Sequence, residues 1–88
     1  MREEDIRVLM ADGNTRNQAE KFLNAGTVVY DDLKENFEKY ASEREEAGWG
    51  EEEIEAMKAM VFDESAPIMG DWGVVKEGGK TYFIEYAL

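Results

Sequence analysis

Eighty-eight residues with 21 Asp and Glu against 10 Lys and Arg carry a net charge of −11, and the chain has neither cysteine nor histidine. That combination excludes disulfide scaffolds, thiolate nucleophiles, Cys/His zinc sites and imidazole acid–base catalysis, and it sets the chain against direct binding of nucleic acid or anionic lipid, which it repels. Four Phe, four Tyr, two Trp and five Met still furnish a core, so the sequence predicts one folded domain over 1–88, near the size at which a single core suffices.

The opening MREEDIRVLM is charged and amphipathic and lacks an apolar h-region, which predicts a cytoplasmic protein without a signal peptide. No apolar run approaches the ~18–20 residues of a membrane span. A first helix is expected over 3–10, burying Ile6, Leu9 and Met10, with Glu3, Glu4 and Asp5 at the favourable end of its dipole and Ala11-Asp12-Gly13-Asn14 as its stop. A second helix is expected over 15–25, where Thr15 and Gln18 have the spacing of a capping box, Ala19, Phe22 and Leu23 form the inner stripe, and Gly26 takes the C′ position.

Thr27-Val28-Val29-Tyr30 fits either a short strand or the run-in to a third helix, because Val29, Leu33, Phe37 and Tyr40 continue one helical face. The third helix is expected over 32–46. Gly48-Trp49-Gly50 breaks the pattern, and a fourth helix over 51–62 turns Ile54, Met57 and Val61 inward. After a loop holding the only proline, two strands over 71–76 and 81–87 are joined by Gly78-Gly79, the pair a type I′ turn requires. That turn opposes Val74 to Phe83 and Trp72 to Glu85 on one face, and Val75 to Tyr82 and Gly73 to Ile84 on the other. The predicted class is α+β: about four short helices followed by a C-terminal β-hairpin packed on them. Both hairpin faces are apolar, so the second needs cover from the Trp49 region or a second chain.

The acid is unevenly spread. From Asp31 to Glu64 there are thirteen Asp and Glu against four Lys and Arg, a net of −9; the remainder has eight against six, a net of −2. A helix beginning at 32 aligns Asp31, Glu35, Glu38 and Glu45 opposite its apolar face, with Glu46 nearby. Carboxylates at such spacings lie ~5–6 Å apart at Cβ, comparable with the ~6–7 Å between phosphates of one nucleic-acid strand that DNA charge density implies. Two readings follow: a solvated outer face, or a surface for a basic partner. Glu51, Glu52 and Glu53 suit the start of a helix, whereas Glu43, Glu45 and Glu46 oppose the dipole in a last turn, which favours the second reading. The candidate partner-binding residues are Asp31, Glu35, Glu38, Glu45, Glu46, Glu51, Glu52 and Glu55, with Trp49 either a core plug or an exposed anchor.

No catalytic, cofactor or metal motif is present. Asp12-Gly13-Asn14-Thr15 places its glycine at the wrong offset for a calcium loop, and Gly70, Gly73, Gly78 and Gly79 do not join a strand to a helix as a phosphate loop does. Exposed acid runs lack the cleft that paired-carboxylate hydrolysis needs.

The segment LMADGNTRNQAEKFLNAG resembles the first two helices of a ubiquitin-associated domain, although Met10-Ala11-Asp12-Gly13 departs from that family's turn and a long acidic helix stands where its third short helix would. Over nearly the whole chain, DIRVLMADGNTRNQAEKFLNAGTVVYDDLKENFEKY followed by DWGVVKEGGKTYFIEY resembles small acidic proteins of conjugative and phage-like elements in gut Firmicutes, a group with no assigned activity. The second resemblance implies a mobile-element setting, where small acidic products sometimes disarm host defence by imitating DNA. The expectation is a non-enzymatic acidic protein that engages a basic, nucleic-acid-binding protein, as a DNA-mimic inhibitor of restriction or CRISPR machinery. The alternative is an interaction module that forms a homodimer, or binds a partner strand, through the outer edge of the C-terminal strand.

Overall fold

The computed structural model describes residues 2–87. It is mixed α+β, with α1 (Arg2–Ala11), α2 (Arg16–Ala25), β1 (Val28–Tyr30), α3 (Phe37–Glu46), α4 (Glu51–Phe62), β2 (Trp72–Glu77) and β3 (Lys80–Glu85). Two compact units make up the chain: Met1–Asp31 with Gly70–Leu88, and Asp32–Met69. Among the described residues no helix is long and apolar enough to cross a membrane.

In the first unit, the Thr15 hydroxyl accepts from the Gln18 backbone N–H at 3.2 Å while the Gln18 side chain accepts from the Thr15 N–H at 2.9 Å, completing the capping box. Gly26 ends α2 at φ 108°, and the Thr27 N–H reaches back to Phe22 O at 3.0 Å, so a left-handed glycine satisfies the last carbonyls. Ile6, Val8, Leu9 and Ala19 join Val75 and Ile84 in one core cluster. Met10, expected inside, is 44 % exposed, and Val8 takes its place at 1 %. The inward residues of α1 are Ile6, Val8 and Leu9, with Asp5 half-buried beside them and Asp12 half-buried just past the helix end; the two aspartates make apolar residues a misleading guide to the direction of the inner face. Burial pushes the Asp5 carboxyl up.

The sheet has the order β1-β3-β2, antiparallel throughout. All four cross-strand pairs expected of the hairpin are present, and Gly78 and Gly79 adopt φ 58° and 78°. The ambiguous segment 28–30 is a strand: Val28, Val29 and Tyr30 pair with Glu85, Ile84 and Phe83. This corrects the expected free edge on the C-terminal strand. β3 is central, its outer side is taken by β1, and homodimerisation by pairing along residues 83–85 has no edge to use.

Tyr30, Trp72 and Phe83 are buried on the sheet face opposite Ile84, and the Tyr30 and Trp72 rings stack at 6.1 Å and 22°. Trp72 Nε1 is buried with no hydrogen-bond acceptor among the described residues. An orphaned buried donor costs ~1–3 kcal/mol, which offsets much of what the larger ring gains by packing. Trp72→Phe is therefore expected to change unfolding free energy by less than ~1 kcal/mol in urea titrations, whereas Phe83→Ala should lose ~3–5 kcal/mol. A loss above ~3 kcal/mol for Trp72→Phe would show that the indole N–H is engaged.

A polar corner ties the α1–α2 turn to the end of β3. The Tyr86 hydroxyl donates to Asp12 Oδ2 at 2.5 Å and accepts from Asn14 Nδ2 at 2.8 Å. The Tyr86 N–H donates to Asp71 O at 2.9 Å, and the Phe22 and Tyr86 rings meet edge to face at 5.0 Å. Burial, and the bond donated to Asp12, push the Tyr86 phenol up to about 12, above the ordinary ~10. The fold favours the neutral phenol, so this contribution is intact below ~10 and disappears as pH climbs through about 12. Tyr86→Phe should remove that part of the alkaline loss of stability, read as the difference between the two proteins' melting temperatures across the window.

In the second unit, α3 begins at Phe37 and not at 32. Residues 31–36 form turns, in which Glu35 and Asn36 donate their N–H groups to Asp32 O at 3.0 and 3.1 Å. Asn36 points its amide back to Asp32 instead of capping α3. Tyr30 is committed to the sheet, so the helical face that Val29 could have opened is interrupted before α3 starts. The residues Leu33, Phe37, Ala41, Met57, Met60 and Val61 are buried, and Ile54 is half-buried. The fourth helix has the bounds expected of it.

Candidate functional site

The acidic imbalance belongs to the second unit. Residues 32–69 hold twelve Asp and Glu against four Lys and Arg, a net of −8, while the first unit holds nine against six, a net of −3. Asp31, counted with the acidic segment in the sequence, belongs to the first unit and lies 3.9 Å from Lys80 Nζ. It is removed from the candidate surface.

The second unit is a helical hairpin. The four residues Ala47-Gly48-Trp49-Gly50 join α3 to α4, and connections this short return a helix antiparallel to its neighbour. A groove of ≈ 290 Å³ lined by Lys34, Glu35, Phe37, Glu38, Lys58 and Phe62 shows the same thing, because it brings the start of α3 beside the end of α4. Glu35, Glu38, Glu45, Glu46, Glu51, Glu52 and Glu55 are all exposed. They do not form the continuous row expected from a helix over 32–46. Glu35 sits in the turn before α3, and Ser42 occupies the outward position between Glu38 and Glu45, which are ~10 Å apart along the axis. The acids gather instead at the two ends of the hairpin: Glu45, Glu46, Glu51 and Glu52 around the connection, Glu35 and Glu38 at the open end beside Lys34 and Lys58.

The connection explains Trp49. The Gly48 N–H donates to Glu45 O at 3.0 Å and the Trp49 N–H to Arg44 O at 3.0 Å, with Gly48 at φ 100°, so α3 ends in a Schellman motif. In that motif the residue after the glycine packs against the residue whose carbonyl it satisfies. Here the Arg44 guanidinium lies 5.7 Å from the centre of the Trp49 ring. Trp49 is half-buried, neither a core plug nor a free anchor. The same turn brings the positive end of the α4 dipole next in the chain after Glu45 and Glu46, which relieves part of the conflict those acids create at the end of α3.

Several carboxylates of the first unit are held in ion pairs. Arg16 bonds Glu3 at 2.5 Å and Glu20 at 3.3 Å, and Arg7 bonds Glu77. The Arg16 hydrogen bond holds the Glu3 carboxyl below its ordinary range. All of these pairs lie in the first unit, as does an open groove of ≈ 460 Å³ lined by Glu3, Glu4, Ile6, Arg7, Met10 and Arg16. Among the described residues no three carboxylates converge as ligands for one metal ion.

No protein family, curated protein or solved structure matches the chain. The site therefore rests on its own residues, and one of them was missed by sequence patterning. Phe62 follows the inward positions Met57, Met60 and Val61 but lies on the outward stripe Glu51–Glu55–Lys58, and it is 48 % exposed. The signal was a large aromatic at i+4 from an exposed lysine on a charged face.

Proposed function

We propose that this chain is a non-enzymatic binding protein whose acidic helical hairpin engages the basic surface of a nucleic-acid-binding protein in the cytoplasm, in the manner of a DNA-mimic inhibitor of restriction or CRISPR machinery. The observation that carries the reading is the confinement of −8 of the net −11 to 38 contiguous residues, 32–69, with their glutamates exposed. Such a field speeds encounter with a basic surface and excludes acidic ones. The resemblance to small acidic proteins of mobile elements supplies the setting. In this reading the C-terminal hairpin, packed on α1 and α2, is the scaffold that carries the acidic unit, supported by the shared cluster of Val75 and Ile84 with Ile6, Leu9 and Ala19.

The test is capture on the immobilised protein from host lysate at low and high salt, beside a variant carrying Glu45→Lys, Glu46→Lys, Glu51→Lys and Glu52→Lys. Basic nucleic-acid-binding proteins should be retained at low salt, released as salt rises, and lost by the variant. Retention of the same proteins by the variant would overturn the proposal.

A further inference from the structure

We propose that the groove at the open end of the helical hairpin seats one apolar side chain projecting from the partner's basic surface, with Phe37 as floor and Phe62 as wall. This inference rests on the binding function proposed above and assigns it an anchoring residue. Phe37 is 7 % exposed and Phe62 48 %, their rings meeting edge to face at 5.3 Å and 72°. Phe62 sets one edge on the buried Phe37 and leaves about half of its surface in solvent, outside the core of Leu33, Ala41, Met57, Met60 and Val61. The groove, at ≈ 290 Å³, falls just below the ~300–1,000 Å³ of small-molecule pockets and fits a single protruding side chain.

Charge identifies the occupant. Two lysines and two glutamates on the rim cancel locally, leaving an apolar, charge-neutral spot inside a unit of net −8. Protein interfaces share that anatomy, with a charge-poor centre and a charged periphery. Outward from Phe62 on the same α4 stripe, Glu55 lies ~10 Å and Glu51 ~16 Å away along the axis. The matching surface is an aliphatic or aromatic residue with Arg or Lys at those two distances from it.

The probe is a helical peptide of about 18 residues carrying one Leu with Arg at those two axial distances, compared with the same peptide having Gln in place of Leu. The wild-type protein should bind the Leu peptide about tenfold more tightly than the Gln peptide, and this ratio should fall to about one in Phe62→Ser. Glu51→Lys with Glu55→Lys should weaken both peptides alike and leave the ratio unchanged. Nuclear Overhauser contacts between the Leu methyls and the Phe37 and Phe62 rings in the wild-type complex give a readout independent of any variant's folding. Equal binding of the two peptides, with both lost on Glu51→Lys/Glu55→Lys, overturns the groove and leaves the acidic function standing. Absence of binding by either peptide at low salt overturns both.

Discussion

Glu45→Lys with Glu46→Lys is expected to raise the melting temperature while weakening binding to a basic partner at least tenfold. Both residues lie in the last turn of α3, beside carbonyls that carry the negative end of the helix dipole. Positive charge there is worth ~0.3–1 kcal/mol per residue at low salt, and removing two acids from a unit of net −8 adds relief of repulsion. A gain of about 1 kcal/mol corresponds to roughly 4–8 °C for a domain of this size. Partner affinity moves oppositely, because each reversal turns an attraction into a repulsion. Calorimetry on the free protein and titration with a basic partner recovered by the low-salt capture read the two effects separately. If stability falls, the two glutamates serve the fold; if stability rises with affinity unchanged, they face no partner. Added salt should mimic the first effect, raising the melting temperature of the wild-type protein by screening the hairpin's own charge.

The second large effect concerns Gly73 on β2. A Cβ at this position would press on Asp12 Oδ2 and come within 2.9 Å of its Cγ and 3.1 Å of Oδ1. The aspartate is short and its carboxylate is held by the Tyr86 hydroxyl, so relief requires breaking that bond. Gly73→Ala should therefore destabilise by ~1–3 kcal/mol, the worth of a charge-assisted hydrogen bond with its half-buried acceptor left over. That is a fall of about 10 °C. Removing the obstacle gives the control: in an Asp12→Ala background the same substitution should be neutral or slightly stabilising, since a strand glycine otherwise weakens its element. A loss of equal size in both backgrounds would place the clash elsewhere. The cycle also measures the coupling between β2 and the α1–α2 turn.

Local rules are legible in this sequence and non-local ones are not. Thr15 with Gln18, Gly26 and the Gly78-Gly79 pair each act within a few residues, and each has the conformation its chemistry demands. The hairpin register follows from the last of these, to the individual pair. The strand at 28–30 lacks such a mark, because what makes it a strand is pairing with Phe83, Ile84 and Glu85, more than fifty residues away. Val29, Leu33, Phe37 and Tyr40 fit a helical face equally well, and only the sheet decides against it. That one decision carries into the candidate site. With α3 starting at Phe37, Glu35 falls into a turn and Asp31 into the other unit, so a predicted row of carboxylates becomes two clusters. Net charge could be counted from residues alone; its arrangement depended on where one helix began.

β1 and β2 run the same way on either side of β3, and the chain leaves the sheet at Tyr30 and rejoins it at Trp72, whose rings touch across the intervening strand. The points of departure and return are thus two strand spacings apart, ~10 Å. The acidic second unit, residues 32–69, is threaded between them as an uninterrupted stretch of sequence. Such a layout lets the whole segment between Tyr30 and Trp72 be exchanged as one cassette, with the strand ends it leaves and rejoins held constant.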